Sequence, residues 1–234
     1  MNKTILVVGD SLCKGVSLNE EKKRYFFLKN SFANNLKDAL DANIVNMAKF
    51  GTTVEHGSKM LKQRLDKYRP DIVLIEYGGN DCDFDWKAVA DHPEKDHEPK
   101  TPIDQFESYL ISMIETVIDF GATPVLMTLP PLNATNYFKW FTQGNKEMGD
   151  RVLAWLEDVT RIYWWHERYS LRVNSVATKY KTPIIDVRSY FLRTPDFRKY
   201  VCLDGIHPNE RGHKLITSGI LDYIKSTPNS FNLI

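Results

Sequence analysis

Ile5-Leu6-Val7-Val8-Gly9-Asp10-Ser11-Leu12 is the stretch on which the reading of this chain turns. Four consecutive apolar residues, three of them β-branched, break off into a glycine, an acid and a hydroxyl. An unbroken apolar run of this length suits a strand covered on both faces, as in a parallel sheet lying under helices. Ligands of such open sheets bind at the carboxyl ends of the strands, which is where Ser11 would stand. Gly9, Asp10 and Ser11 are equally good turn residues, so the tripeptide alone does not separate a turn from a site.

Further along, the same pattern recurs. Asn43 to Ala48 reads as a second strand running into Phe50-Gly51-Thr52-Thr53, and Asp71 to Tyr77 reads as a third running into Gly78-Gly79-Asn80-Asp81. Thr123 to Leu129 is a fourth, with Pro124 at its beginning where a missing donor costs least, and Thr182 to Val187 is a fifth. Helical spacing fills the gaps. Phe32, Leu36 and Leu40 follow Ser31, a candidate cap; Met60, Leu61 and Leu65 precede Pro70; Ile103, Phe106, Leu110, Ile114 and Val117 form a strong apolar stripe ended by Gly121. A helix over Trp164 to Tyr180 leads to the fifth strand, and a closing helix starts near Pro208. Strands alternating with helices predict an α/β fold with a parallel sheet, right-handed crossovers and helices on both faces. No repeat or second core interrupts the pattern, so residues 1–234 read as one domain.

Three segments fall outside it. Cys13 to Lys29 is polar and charged. Asp83 to Pro102 carries many acids, His92, His97 and three prolines, and reads as a surface loop. The span from Asn136 to Trp165 holds four of the five tryptophans with Tyr137, Phe138, Phe141 and Tyr163, and is too long for a plain connection.

The chain's 234 residues are 42% hydrophobic and 26% charged, with a formal net charge of +1, which supplies no basic field for nucleic acid. The first apolar run is too short for a secretory leader or a membrane span, and Cys13, Cys82 and Cys202 fit no paired metal spacing. A cytoplasmic protein with three free thiols is expected. Asp81-x-Asp83-x-Asp85 lacks the glycine and the bidentate glutamate of a calcium loop, and His92 and His97 lack companion ligands, so no metal or other cofactor is expected.

Late in the chain, Leu203-Asp204-Gly205-Ile206-His207-Pro208-Asn209 sets an acid three residues before a histidine. That spacing permits a local pair in which the aspartate holds the imidazole Nδ1–H and leaves Nε2 free to take a serine proton. A capping aspartate beside a surface histidine would have the same sequence.

Taken together, four blocks in order resemble the SGNH hydrolases, also called the GDSL esterases and lipases: Gly9-Asp10-Ser11-Leu12, Gly51 after the second strand, Gly78-Gly79-Asn80-Asp81, and Asp204-x-x-His207-Pro208. The resemblance implies a flavodoxin-like three-layer α/β/α sandwich, a five-stranded sheet in the order 2-1-3-4-5, and an esterase acting through an acyl-enzyme. Ser11 would be the nucleophile, His207 the base and then the acid, and Asp204 the residue that fixes the histidine. The oxyanion would be held by the N–H groups of Ser11 and Gly51 and the amide of Asn80. Asp10 and Asp81 would support the turns that aim their neighbours. The family takes lipids, acetylated sugars, thioesters and aryl esters, so the implied partner is a small-molecule ester, with neither its acyl group and alcohol nor the oligomeric state determined. Tyr137 and Trp140, and with them the segments Asp83 to Pro102 and Tyr137 to Trp165, leave the sheet at the edge where Ser11 lies and are expected to wall the substrate site.

Two other readings use the same residues. A nucleotide or phosphate binder would place an anion at the loop after the first strand, but neither a Walker A pattern nor Gly-x-Gly-x-x-Gly is present. A non-catalytic carbohydrate-binding protein would use the aromatic cluster and would not need Ser11, Asp204 and His207.

Overall fold

The computed structural model describes residues 3–227. In chain order it contains β1 (Lys3–Gly9), α1 (Ser11–Lys14), β2 (Val16–Asn19), β3 (Arg24–Phe27), α2 (Phe32–Ala39), β4 (Ala42–Asn46), α3 (Val54–Tyr68), β5 (Ile72–Glu76), α4 (Trp86–Asp91) and α5 (Ile103–Asp119). These are followed by β6 (Thr123–Met127), α6 (Ala134–Thr142), α7 (Lys146–Leu156), α8 (Thr160–Tyr180), β7 (Ile184–Ile185), α9 (Arg188–Leu192) and α10 (Glu210–Ser226). The large sheet runs β4-β1-β5-β6-β7 with every pair parallel, which is the expected 2-1-3-4-5 order.

The unbroken apolar strands have the predicted cause. Ile5 and Val7 of β1, with Ile72 and Leu74 of β5, face a core closed by α2, α9 and α10 through Phe32, Phe191, Ile216 and Ile220. Leu6 and Val8, with Val73 and Ile75, face the opposite core closed by α3, α5 and α8 through Leu61, Phe106, Ile114 and Val173. Because successive side chains point to opposite faces, a strand covered on both sides needs an apolar residue at every position. Each large side chain so buried contributes roughly 1.5–3 kcal/mol.

Four local expectations change. Ser31 stands at the N-cap of α2, but its hydroxyl makes no capping bond; Nδ1 of the buried His213 accepts from Phe32 N–H at 3.3 Å instead. Burial lowers the His213 pKa to about 4, which leaves that nitrogen free to accept. Cys13 to Lys29 contains the antiparallel hairpin of β2 and β3, whose charged turn masks two short strands. Asp83 to Pro102 is not a plain surface loop: α4 lies inside it, and Phe84, Trp86, Val89 and Ala90 are buried against Val152, Leu156 and Ile162. Asn136 to Trp165 resolves into α6, α7 and the start of α8, and its aromatic residues build this third cluster. No helix among the described residues is long and apolar enough to cross a membrane. Cys13, Cys82 and Cys202 are buried and unpaired.

Candidate active site

At the end of β1, a Cβ on Gly9 would fall 2.5 Å from Cys13 Sγ and 2.8 Å from the Glu76 carbonyl, so only glycine lets α1 fold back this closely. Asp10 caps that short helix, Oδ1 accepting from Leu12 N–H at 2.9 Å. This turn presents Ser11, whose Oγ lies 2.9 Å from His207 Nε2. On the other side of the ring, Nδ1 lies 2.6 Å from Asp204 Oδ2.

Asp204 is fully buried, and its Oδ1 accepts from the N–H groups of Ile206 and His207, both at 3.1 Å. Gly205 supplies the bend between them, with φ +80°, and a Cβ there would strike the Asn133 carbonyl at 2.5 Å. A carboxylate satisfied in this way accepts the Nδ1–H, which leaves Nε2 as the acceptor facing the serine hydroxyl.

Asn80 follows β5. Its amide donates to Asp10 Oδ2 at 2.9 Å and to the Thr52 carbonyl at 3.2 Å, joining three of the sequence blocks. Gly51, with φ +73°, is solvent-exposed beside Thr52 and does not line the cleft. Asp81 lies outside the cleft lining. Its Oδ1 accepts from Val54 N–H at 3.0 Å, at the start of α3, and from Thr101 Oγ at 2.7 Å, and burial raises its pKa to about 6.

Next to Ser11 opens a cleft. Phe84, Trp86, Leu132, Tyr137, Ile162 and Trp165 give it an apolar wall. Tyr137 is in this lining, its hydroxyl donating to Asp83 Oδ1 at 2.7 Å. Trp140 does not line this cleft; it meets the edge of Tyr25, ring centroids 6.0 Å apart. Tyr25 itself lies 5.0 Å from the His207 ring and Phe50 stacks on that ring at 6.0 Å, both partly open to solvent.

Sequence reasoning missed several of these groups. Tyr25 and Phe50 sit in segments read as polar or as a turn, although the aromatic run Tyr25-Phe26-Phe27 opposite Val16 and Leu18 was a usable hairpin signal. Glu76, the last residue of an otherwise apolar strand, lines the cleft and accepts from Cys13 Sγ at 3.6 Å. Burial, and then the charge of Asp10, raise its pKa well above the carboxylate range. Asp10 is raised too, by burial, but Leu12 N–H, the Asn80 amide and the nearness of His207 oppose that. Glu76 is therefore the carboxyl that keeps the proton. Arg188 is buried at the start of α9 and is held by the Leu129 carbonyl at 3.0 Å, by Tyr163 and by Glu167.

Residues 7–215 match the GDSL-like lipase/acylhydrolase family. An arylesterase of Vibrio mimicus is 31% identical over 142 residues, an alignment that spans 60% of this chain and 62% of that protein. Among solved structures, a lipase/acylhydrolase of Enterococcus faecalis superimposes with a TM-score of 0.66 at 20% identity, covering 99% of this chain and 97% of that one. A psychrotrophic esterase of Pseudoalteromonas gives 0.63 at 17% identity, covering 97% and 100%. A match running from the first strand into the last helix takes in the turns that carry Ser11, Gly51, Asn80 and His207, and it leads to one conclusion: the chain belongs to the GDSL-like lipase/acylhydrolase family.

Proposed function

We propose that the chain is a serine esterase that hydrolyses carboxylic esters of small molecules through an acyl-enzyme, and that it works as one catalytic domain. The observation that carries this is the hydrogen-bonded run from Ser11 Oγ to His207 Nε2 and from His207 Nδ1 to Asp204, with distances of 2.9 and 2.6 Å. In this reading Ser11 Oγ attacks the ester carbonyl carbon while its proton passes to Nε2 and the carbonyl electron pair moves onto oxygen. Asp204 stabilises the imidazolium so formed. When the tetrahedral intermediate collapses, the bond to the alcohol oxygen breaks and His207 returns the proton to that oxygen. Water then repeats the sequence on the acyl-enzyme and releases the acid.

The oxyanion is assigned to the Ser11 N–H and to the Asn80 amide, and Gly51, exposed and outside the cleft lining, is left out of that set. Both amide hydrogens of Asn80 are already engaged, so the oxyanion takes the place of the longer contact, that with the Thr52 carbonyl. Substrate orientation follows from where the proton must go. The alcohol lies beside His207, against Tyr25 and Phe50, and the acyl group enters the cleft walled by Phe84, Trp86, Tyr137 and Trp165. Esters with an apolar acyl group and a flat or apolar alcohol fit this division, and the arylesterase relative supports it.

The Pseudoalteromonas esterase is known in a form inhibited by monoethylphosphonate, which makes a phosphonate the direct test. A fluorophosphonate probe should label the wild-type chain at Ser11 and leave Ser11→Ala unlabelled, and p-nitrophenyl acetate turnover should vanish with the label. Equal labelling of both proteins, or turnover retained in Ser11→Ala, would remove Ser11 as the nucleophile.

A further inference from the structure

His166, on α8, lines the same cleft as Ser11, is only 4% exposed, and has an Nδ1 that is buried with no hydrogen-bond partner. Leu129, Leu132, Ile162 and Trp165 line the same cleft. A polar nitrogen left unpaired in the interior weakens the fold, and of the two ring nitrogens only Nδ1 is sealed in this way, which leaves Nε2 as the one a ligand in the cleft can reach. The obvious internal partner is already taken. Arg188 gives its guanidinium to the Leu129 carbonyl, Tyr163 and Glu167. Burial, together with the Arg188 charge, keeps the imidazole neutral, with a pKa of about 3.

A neutral imidazole carries one hydrogen on one of its two nitrogens. A sealed nitrogen is tolerated better as an unpaired acceptor than as an unpaired N–H, which assigns the hydrogen to Nε2. We propose that His166 presents Nε2–H to the cleft as a polar subsite of the acyl pocket, recognising an uncharged oxygen, ether or hydroxyl, on the acyl chain of the substrate. The proposal rests on the esterase reading and adds the substrate class to it. An anionic acyl group is disfavoured because the Asp10 carboxylate lines the same cleft, and a cationic one because Arg188 stands beside the ring.

An oxygen walk tests it. p-Nitrophenyl esters of straight-chain acids are compared with their oxa-analogues, in which one methylene at successive positions is replaced by oxygen, on the wild type, His166→Gln and His166→Leu, with folding checked by thermal melts. The wild type should prefer the oxa-chain at one position by about fivefold in kcat/KM, as one neutral hydrogen bond gives. His166→Gln, which keeps an N–H donor, should retain the preference, and His166→Leu should lose it. The same oxa-to-alkyl ratio in the wild type and in His166→Leu at every position overturns the subsite. Turnover of the plain alkyl esters with that flat ratio leaves the esterase reading standing, whereas no turnover of any ester by the wild type removes both.

Discussion

The Asn80 amide donates to Asp10 Oδ2 at 2.9 Å and so ties the turn after β5 to the turn that presents Ser11. The other oxygen of Asp10 caps Leu12 N–H, so one carboxylate aims both the serine and the amide assigned to the oxyanion. An asparagine at position 10 has a single acceptor and can serve only one of these partners. Asn80→Ala should lower kcat by roughly 10²–10³. Asp10→Asn should lower it as well, and the double variant should lose less than the product of the two, with a coupling of about 0.5–3 kcal/mol. Effects on kcat that simply multiply would show that the two residues act separately.

Asp81 makes stability depend on pH. Its pKa in the fold is about 6, above the ordinary 3.8, because burial penalises its charge and Oδ2 has no partner. A carboxyl raised in this way favours the fold below about pH 4, and that contribution is lost as pH rises through about 6. Asparagine keeps an oxygen for Val54 N–H and Thr101 Oγ but cannot ionise. Relative to wild type, Asp81→Asn should therefore gain stability between pH 4.5 and pH 7.5, by about 2 kcal/mol. Urea midpoints at the two pH values measure this, and an equal offset at both would remove the linkage.

Trp86 links the third cluster to the cleft. It stacks on Phe141 with centroids 4.6 Å apart, donates Nε1–H to Asp83 Oδ1 at 2.8 Å, and lines the cleft beside Ser11. Trp86→Ala should destabilise the protein by about 3–5 kcal/mol. The same substitution should widen the pocket, shifting the best substrate in a series of p-nitrophenyl esters toward longer chains. A stable variant with an unchanged chain-length profile would place Trp86 outside the acyl pocket.

The core of the fold was legible because each central strand is buried on both faces and so writes its burial as an unbroken apolar run. Ile5 to Val8 and Ile72 to Ile75 carry that signal without help from the rest of the chain. The turns were legible for a different reason: Gly9, Asn80 and His207 each answer a local demand of close packing, hydrogen bonding or chemistry that few other residues meet. The placing of the cover over the site was legible, but its packing was not. Phe84 and Trp86 reach the third cluster from a segment whose acids and prolines face water, and the contacts that bury them come from α7 and α8, far away in sequence. Tyr25 was hidden similarly, because β2 and β3 are four residues each and their pairing matters only once His207 lies beneath.

That neighbourhood of His207 carries the last prediction. In the proposed mechanism Nε2 returns the proton to the departing alcohol, which places that alcohol beside the ring that Tyr25 and Phe50 flank at 5.0 and 6.0 Å. Both are partly exposed, at 40% and 48%, so an aryl alcohol can reach them from solvent. An aromatic contact of this kind contributes about 0.5–1.5 kcal/mol, or roughly two- to tenfold in kcat/KM. Phe50→Ser should therefore lower kcat/KM for phenyl acetate by that factor relative to ethyl acetate, and Tyr25→Ser should act in the same direction. Because the two esters give the same acetyl-enzyme, deacylation is common and the ratio reports the alcohol side alone. Loosening of His207 is a separate effect, and it is read from the rate of fluorophosphonate labelling, which depends on the Ser11–His207 pair. A fall in labelling with an unchanged ester ratio would make the two rings supports for His207 and not a seat for the alcohol.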